Sequence, residues 1–176
     1  KNKQIRIISG EFGGRLIDTP DNSATQPMGD RERMAIFNRL RDEIAGKKVA
    51  DVFAGSGALG LEALSLGASE VVFVEKDPKA IQCIKQNLQK LGLSAKIQKK
   101  LDESCDLIFM DPPYESGLYE PVLQAIIEKG LLKQEGYLIT ERSSQIPLEI
   151  PAGMEVLREK AYKTTILSFL GLEETK

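Results

Sequence analysis

Short apolar runs alternate with longer amphipathic stretches along most of this chain, and the two periods indicate strands and helices in turn. The pattern predicts helices at 31–45, 58–66, 78–91 and 119–129 and strands at 4–9, 15–18, 48–53, 70–75, 95–99, 105–110, 137–141, 155–161 and 164–170. Strands alternate with helices up to residue 141, and the last two strands have no helix between them. This order predicts an α/β fold: a doubly wound, mostly parallel sheet with an antiparallel hairpin at its C-terminal edge.

The N-terminal residues 1–46 precede the regular alternation. They are predicted to form a small β-hairpin, a polar loop and one helix, packed on residues 47–176 within a single structural unit. Asp30 is predicted to be the N-cap of this helix and Gly46 to end it. Its predicted buried stripe consists of Met34, Ile36, Phe37, Leu40 and Ile44.

Two connections in the second half of the chain are less regular. Parallel strands need a crossover of about a dozen or more residues, but only residues 100–104 separate the strand at 95–99 from the strand at 105–110. We therefore expect that a loop and a helix of the natural chain are missing from this sequence near Lys100-Leu101. After the helix at 119–129, Gly130 and Gly136 are expected to bracket a turn.

The stretch from Val49 to Leu64 has the pattern of a nucleotide-type cofactor site: an apolar strand, a glycine-rich turn and a helix. Glycine permits positive φ and close approach of the backbone to a ligand, and the first N–H groups of the helix face the turn. Gly55, Gly57 and Gly60 fit G-x-G-x-x-G. The alternative is a tight turn that binds no ligand.

Three acidic residues extend this pattern. Glu75 ends the next strand, 20 residues after Gly55, where an acid that binds ribose is expected. Asp51 lies inside the first strand and would repel the pyrophosphate of NAD, whereas it suits a cofactor with an ammonium group. Asp111 opens Asp111-Pro112-Pro113-Tyr114, directly after an apolar strand. Because ligands bind at the carboxyl ends of parallel strands, Gly55, Glu75 and Asp111 are expected on one rim of the sheet.

Asp51 and the motif at 111–114 together make the chain resemble class I S-adenosylmethionine-dependent methyltransferases that modify an exocyclic amine. More specifically, it resembles the RsmD family, bacterial enzymes that methylate the 2-amino group of one guanine in 16S ribosomal RNA. The resemblance covers nearly the whole chain, with one departure: Gln26-Pro27-Met28 stands where the family usually has Arg-Pro-Thr. The segments that carry it are Arg6-Ile7-Ile8-Ser9-Gly10, Asp30-Arg31, Ala35-Ile36-Phe37-Asn38, Phe53-Ala54-Gly55-Ser56-Gly57-Ala58-Leu59-Gly60-Leu61-Glu62-Ala63, Val72-Phe73-Val74-Glu75-Lys76-Asp77 and Asp111-Pro112-Pro113-Tyr114.

The resemblance implies a seven-stranded Rossmann-like methyltransferase sheet and S-adenosylmethionine as the cofactor. It implies 16S ribosomal RNA as the partner, either naked or within an assembling small ribosomal subunit. The implied cofactor-binding residues are Asp51, Phe53, Ala54, Gly55, Ser56, Gly57, Glu75 and Lys76. The implied catalytic residues are Asp111, Pro112, Pro113 and Tyr114, and the expected substrate-binding residues are Arg31, Arg33 and Tyr114.

The chemistry of these side chains suits such roles. Glu75 would accept hydrogen bonds from the ribose hydroxyls, and Asp51 would act by its charge on the ammonium end of the cofactor. Asp111 and the carbonyl of Pro112 would each accept one N–H of the amine, and Tyr114 would stack on the base. The alternatives are a helix N-terminal charge at Glu75, a packed tyrosine at 114 and solvated arginines.

The amino-acid composition excludes several kinds of catalytic site. The 176 residues include no histidine, which excludes Ser-His-Asp and Cys-His catalysis, and the two cysteines, Cys83 and Cys105, are expected to be reduced packing residues. The net charge is −2, divided into +3 for residues 1–48 and −5 for residues 49–176, so phosphates are expected near the N-terminal part if anywhere. A start without an apolar signal core and the lack of a membrane-length apolar run predict a cytoplasmic protein, with a monomer as the default.

Several functions remain open at this point. The glycine pattern alone also suits an NAD-dependent oxidoreductase. An amine methyltransferase that acts on DNA adenine or on a protein glutamine would grip its substrate similarly, although such enzymes usually have Asn where this chain has Asp111. A non-catalytic RNA-binding protein is disfavoured by the intact motif at 111–114.

Overall fold

The structure is a computed structural model that describes residues 3–20, 28–113 and 116–174. Its helices are α1 Asp30–Leu40, α2 Ala58–Ser65, α3 Pro78–Leu91 and α4 Tyr119–Glu128. Its strands are β1 Gln4–Arg6, β2 Leu16–Asp18, β3 Lys48–Val52, β4 Glu70–Val74, β5 Lys96–Gln98, β6 Cys105–Met110, β7 Leu132–Ser143, β8 Met154–Ala161 and β9 Thr165–Leu172. Strands β3 to β9 form a seven-stranded sheet in the order β5-β4-β3-β6-β7-β9-β8, and β1 and β2 form a separate hairpin. The predicted α/β class, the parallel core and the antiparallel C-terminal hairpin are confirmed.

The chain forms two compact units, Lys1–Leu101 and Asp102–Lys176. In the first unit, β4 pairs in parallel with β3 and with β5. Helix α3 has well-defined ends: Asp77 accepts a hydrogen bond from the Lys79 N–H at 3.2 Å, Pro78 occupies the first turn, and Gly92 ends the helix with φ +69°. The predicted bounds of α3, 78–91, are those observed.

The N-terminal hairpin is fixed to the C-terminal end of α2 through Ser65. The hydroxyl of Ser65 donates to the Ser9 carbonyl at 2.6 Å and accepts from the Phe12 N–H at 2.9 Å, and its carbonyl accepts from the Glu11 N–H at 2.8 Å. Gly10 has φ +83°, and a Cβ there would lie 2.1 Å from the Ser65 carbonyl oxygen. Only glycine therefore permits this close approach. The predicted boundary at 46/47 falls inside the first unit.

Helix α1 differs from its prediction at both ends and on its buried face. Gly29, not Asp30, is the N-cap, and the helix ends at Leu40 instead of residue 45. Met34 is 47% exposed, and Arg33 takes the interior position in its place. The observed buried face therefore follows the i, i+3, i+4, i+7 spacing of one helix side. Its members are Arg33, Ile36, Phe37 and Leu40, while Ile44 is buried beyond the helix end.

In the second unit, β7 is much longer than the predicted strand at 137–141. Its pairing with β6 shifts register at a bulge, from Cys105↔Leu132 to Leu107↔Tyr137. Gly136 lies inside this strand, so the prediction that it brackets a turn is wrong. A Cβ on Gly136 would lie 2.5 Å from the Asp106 carbonyl oxygen, which explains why the bulge requires glycine.

The connection from β5 to β6 consists of residues 99–104. The expectation that residues of the natural chain are missing near Lys100-Leu101 stays a prediction, and sequencing the natural gene would check it. Within the three described ranges, no helix has both the length and the apolar character to cross a membrane.

Candidate functional site

The turn between β3 and α2 is built from residues with left-handed backbone. Phe53 has φ +61°, Gly55 +58° and Gly57 +83°. Phe53 is the one non-glycine residue with positive φ in the described part of the chain, and this conformation costs about 1–2 kcal/mol. The N–H groups of Phe53 and Ala54 both donate to the Val74 carbonyl, at 3.1 and 3.2 Å, which holds the turn against the end of β4. Such local strain is typical of functional turns.

The three motif glycines serve different purposes. A Cβ on Gly60 would lie 2.4 Å from Cε1 of Phe73, and one on Gly57 would lie 3.1 Å from the same atom. These two glycines therefore let α2 pack closely on β4. A Cβ on Gly55 would meet nothing within 4 Å, so only its positive φ favours glycine there and the space beside it is open. That open space fits a ligand that approaches the backbone of the turn.

Glu75 joins this turn to the start of α3. Its Oε1 accepts from the Gly55 N–H at 2.8 Å, and its Oε2 accepts from the N–H groups of Lys76 and Asp77 at 3.1 and 3.0 Å. The backbone of Lys76 thus orients the carboxylate, while its side chain is exposed. A carboxylate has about four acceptor positions, so one remains for a further donor.

Asp51 lies on β3 and is only 2% exposed. Its Oδ2 accepts from the Gly60 N–H in the first turn of α2 at 2.9 Å. This contact places a negative charge at the N-terminus of a helix, where the helix dipole favours it. The role predicted for Asp51 toward an ammonium group stays a prediction.

Asn87 also holds the glycine turn, and the sequence analysis missed it. Its Nδ2 donates to the Ser56 carbonyl at 3.0 Å and to the Asp18 carbonyl at 2.9 Å, while its Oδ1 accepts from the Asp18 N–H at 2.9 Å. Ser56 and Asn87 are both buried. Asn87 therefore ties the β1–β2 hairpin to the turn between β3 and α2. The only sequence signal was a polar residue on the apolar side of α3.

The two arginines expected at the substrate differ in the structure. Arg33 is 1% exposed, and its guanidinium pairs with Asp30 at 2.6 Å and with the buried Glu62 at 3.2 Å. Burial raises the pKa of Glu62, against the opposing effects of the Ile8 N–H and the charge of Arg33. Arg33 therefore links α1 to α2 and does not present a surface cation, contrary to the prediction. The Arg31 side chain is 72% exposed and lies 3.9 Å from Glu32.

Asp111, in the second unit, directly follows the last residue of β6. The register Met110↔Thr140 places it beside Glu141 of β7, a carboxylate that is only 4% exposed. Burial raises the pKa of Asp111 to about 7, and the charge of Glu141 contributes to the rise. An acid with a pKa near neutrality can exchange a proton at physiological pH.

Tyr119, the first residue of α4, holds the loop after Asp111. Its hydroxyl lies 2.7 Å from the Glu141 carbonyl and 3.2 Å from the Pro112 carbonyl. Burial raises the pKa of Tyr119, with the charges of Asp111 and Glu141 adding to the effect, so the hydroxyl remains a donor. Pro112 is buried and Pro113 is exposed, whereas Tyr114 lies outside the described residues.

Comparisons with known proteins match most of the chain. The family model described as "Conserved hypothetical protein 95" matches residues 5–171. The chain is 35% identical over 170 residues to Ribosomal RNA small subunit methyltransferase D of Escherichia coli. This alignment covers 89% of this chain and 84% of the relative. It is 32% identical over 179 aligned positions to the protein of the same name from Haemophilus influenzae, and this alignment covers 94% of this chain and 92% of the relative. That alignment is longer than the 176-residue chain, so the relative has residues without a counterpart here.

A solved structure extends the match to the fold. The structure described as "Putative methyltransferase yhhF from Escherichia coli" has a TM-score of 0.88 and 31% sequence identity, and the match covers 98% of this chain and 100% of that one. The family match and the two relatives each span most of the sequence. This chain therefore belongs to the RsmD-type methyltransferase family, whose family model is described as Conserved hypothetical protein 95.

Proposed function

We propose that this protein transfers a methyl group from S-adenosylmethionine to the 2-amino group of a guanine in 16S ribosomal RNA. The observation that carries the proposal is the position of Asp111-Pro112 at the end of β6 in a member of this family. The E. coli and H. influenzae relatives are named as small-subunit ribosomal RNA methyltransferases. Those names do not favour an NAD-dependent oxidoreductase or a methyltransferase for DNA adenine or protein glutamine.

The first unit fits the proposed cofactor. The open space beside Gly55 leaves the backbone accessible, and the Glu75 carboxylate is oriented by three N–H groups. Gly55 and Gly57 would lie against the methionine half, Glu75 would accept from the ribose hydroxyls, and Asp51 would favour the ammonium group by its charge. Phe53, Ala54, Ser56 and Lys76 would complete this site. When bound, the cofactor supplies a methyl group made electrophilic by its sulfonium.

Cofactor binding is expected to change the hydrogen bonds of Glu75. One acceptor position remains on its carboxylate, whereas two ribose hydroxyls offer two donors. Binding is therefore expected to displace one of the N–H groups that now donate to Glu75. The Gly55 N–H is the best candidate because it belongs to the turn beside open space, while those of Lys76 and Asp77 follow Glu75 directly in the chain.

The second unit fits the proposed amine. The lone pair of the guanine 2-amino group is delocalised into the ring, so the nitrogen is a weak nucleophile. Asp111 and the Pro112 carbonyl would each accept one N–H, which favours a pyramidal nitrogen with its lone pair available. A carbonyl oxygen has two acceptor positions, so Pro112 can serve the amine while Tyr119 donates to it. Such positioning and electrostatic effects are worth several kcal/mol.

Two further residues, Tyr114 and Arg31, would contact the RNA. Tyr114 would stack on the extruded base, for which aromatic contacts are worth about 1–3 kcal/mol. Arg31 carries an exposed guanidinium that suits a phosphate. Ribosomal RNA, naked or in an assembling small subunit, would place the protein in the cytoplasm, where it would act as a monomer.

A methylation assay with labelled S-adenosylmethionine tests the function. The substrates are 16S ribosomal RNA and small subunits, both taken from cells that lack this gene, so that the target position is unmodified. We expect label on the N2 atom of one guanine. Label on DNA or protein but not on RNA would overturn the substrate, and thermal stabilisation by NADH but not by S-adenosylmethionine would overturn the enzyme class.

A further inference from the structure

A second carboxylate lies beside Asp111, and the function proposed above does not use it. Glu141 is in the long strand β7, one residue beyond the paired position Met110↔Thr140, so it occupies the lateral position next to Asp111. Its side chain is almost fully buried.

The backbone of Glu141 is coupled to the same loop. The Tyr119 hydroxyl lies within hydrogen-bond distance of the Glu141 carbonyl and of the Pro112 carbonyl. One buried phenol thus connects β7 to the residue that follows Asp111. The position of Glu141 relative to Asp111 is fixed both by strand register and by this bridge.

We propose that Glu141 is a positioning residue for methyl transfer: its charge acts on the neighbouring Asp111 and makes Asp111 the acceptor of the proton that the amine must lose. This inference rests on the proposed function. As the bond between the amine nitrogen and the methyl carbon forms and the methyl–sulfur bond breaks, the nitrogen is left with one excess proton. That proton passes to a carboxylate oxygen of Asp111, which then releases it to water and returns to its starting state.

The electrostatics of the surrounding groups support this assignment. Burial is the larger cause of the raised pKa of Asp111 and the charge of Glu141 the second. Burial and the charges of both carboxylates raise the pKa of Tyr119 in α4, against the opposing charge of Arg142, so its hydroxyl stays protonated. On β7, the Arg142 guanidinium lies 3.7 Å from Glu159 of β8, and on β9 the hydroxyl of Thr165 lies 3.4 Å from Oε2 of Glu141.

The test compares Glu141→Gln with two matched variants. Glutamine keeps the size of the side chain and an oxygen for Thr165, but removes the charge. Glu141→Asp keeps the charge, and Asp106→Asn removes a carboxylate from the far end of β6, where it pairs with Lys133 at 3.6 Å. Single-turnover methyl transfer to 16S ribosomal RNA is measured across pH 5 to 9. The ionisation of Asp111 is followed separately by carboxyl ¹³C NMR, which needs neither cofactor nor RNA.

In the unmodified protein, we expect the rate to rise with pH around a midpoint near 7. Glu141→Gln should move the midpoint of the rate and of the Asp111 titration to lower pH by about one unit, and should also lower the rate at the high-pH plateau. Glu141→Asp should retain a midpoint close to that of the unmodified protein, and Asp106→Asn should change neither quantity.

Two results would overturn the inference while leaving the proposed function intact: an unchanged Asp111 titration in Glu141→Gln, or a lower plateau with an unchanged midpoint, which would indicate a purely structural role. If Glu141→Gln does not fold, an Asp111 titration in Glu141→Asp that falls to the ordinary aspartate range would overturn it as well. Absence of methyl transfer by the unmodified protein would instead overturn the proposed function, and the NMR titration would still decide whether Glu141 acts on Asp111.

Discussion

The two acids that directly follow β4 and β6, Glu75 and Asp111, occupy equivalent places in the chain but have opposite surroundings. Glu75 accepts hydrogen bonds from three backbone N–H groups. Asp111 lies beside a buried carboxylate, and its pKa is raised to about 7 by burial and by that neighbour. The comparison shows that position in a βαβ pattern does not decide what a carboxylate does. Its neighbours do: three N–H groups orient Glu75 for the proposed contact with hydroxyl groups. Burial and a neighbouring carboxylate raise the pKa of Asp111, as the proposed acceptor of a proton requires.

The largest expected effect is the loss of methyl transfer in Asp111→Ala. Removing an electrostatic group that acts at the reacting nitrogen typically lowers the rate by about 10²–10³-fold. We expect that loss in single-turnover assays, while calorimetry shows affinity for S-adenosylmethionine close to that of the unmodified protein. Asp106→Asn, on the same strand, serves as the control. Loss of cofactor binding in Asp111→Ala together with normal binding in Glu75→Ala would reverse the assignment of the two acids.

Features of the site that are set by neighbouring residues in the sequence could be predicted. The turn at 53–57, Glu75 and Asp111 follow directly after apolar strands, so the sequence places them at strand ends without knowledge of the tertiary structure. The bounds of α3 were predicted without error because Asp77-Pro78 and Gly92 are local start and stop signals. Local signals therefore predicted the position of these residues at strand ends but not their hydrogen-bond partners.

The features that were not predicted from the sequence depend on contacts between segments that are far apart in the chain. Arg33 is interior because Glu62 of α2 neutralises it, and nothing near it in the sequence indicates that pair. Asn87 and Tyr119 look like an ordinary polar residue and a helix start, yet each hydrogen-bonds to two separate segments. Glu141 lies beside Asp111 because of the strand register, which the local sequence does not reveal. Tertiary pairings of this kind override local pattern.

A second prediction for Asp111 concerns stability and has the opposite sign to its effect on activity. Because folding raises its pKa from 3.8 to about 7, the folded protein binds this proton more tightly than the unfolded chain does. Ionising Asp111 therefore costs stability as the pH rises from about 4 to 7, and the full cost is present above 7. From this shift, Asp111→Asn should be about 4 kcal/mol more stable than the unmodified protein at pH 8, and the difference should vanish near pH 4.

Urea unfolding at pH 4, 6 and 8 measures this difference. Asp106→Asn controls for the loss of one carboxylate in the same strand. An advantage of Asp111→Asn that is equal at all three pH values would show that the surroundings of Asp111 do not disfavour its charge, and the comparison with Glu75 would lose its electrostatic basis.

Glu75→Ala tests whether Glu75, unlike Asp111, acts in cofactor binding and not in methyl transfer. The change removes the acceptor for the ribose hydroxyls and leaves the Gly55 N–H without its partner. We expect S-adenosylmethionine to bind about 10–100-fold more weakly by calorimetry, in keeping with the loss of charge-assisted hydrogen bonds. The single-turnover rate at saturating cofactor should stay close to normal. Glu70→Gln, at the opposite end of β4, removes a carboxylate that pairs with Lys48 and Lys96 and should leave affinity unchanged.

The smallest expected effect tests the packing of α2 on β4, the strand that precedes Glu75. In Gly60→Ala the added methyl group would lie 2.4 Å from Cε1 of Phe73, so α2 must move away from β4 or Phe73 must change its rotamer. Such overpacking should lower the free energy of unfolding by about 1–3 kcal/mol in urea titrations. Because Gly60 also donates its N–H to Asp51, a shifted α2 should weaken cofactor binding as well.

The double variant Gly60→Ala, Phe73→Leu separates packing from other causes. Leucine lacks the ring atom that the new methyl group meets, so the double variant should be more stable than the sum of the two single effects. Gly130→Ala, in the second unit, is the control: its φ is +63° but nothing lies within 4 Å of the added Cβ. It should lose about 1 kcal/mol from backbone strain alone and keep its affinity for the cofactor. If Phe73→Leu gives no rescue, the third motif glycine is not needed for helix–strand packing, and the rigidity that holds Gly55 against Glu75 must come from elsewhere in the turn.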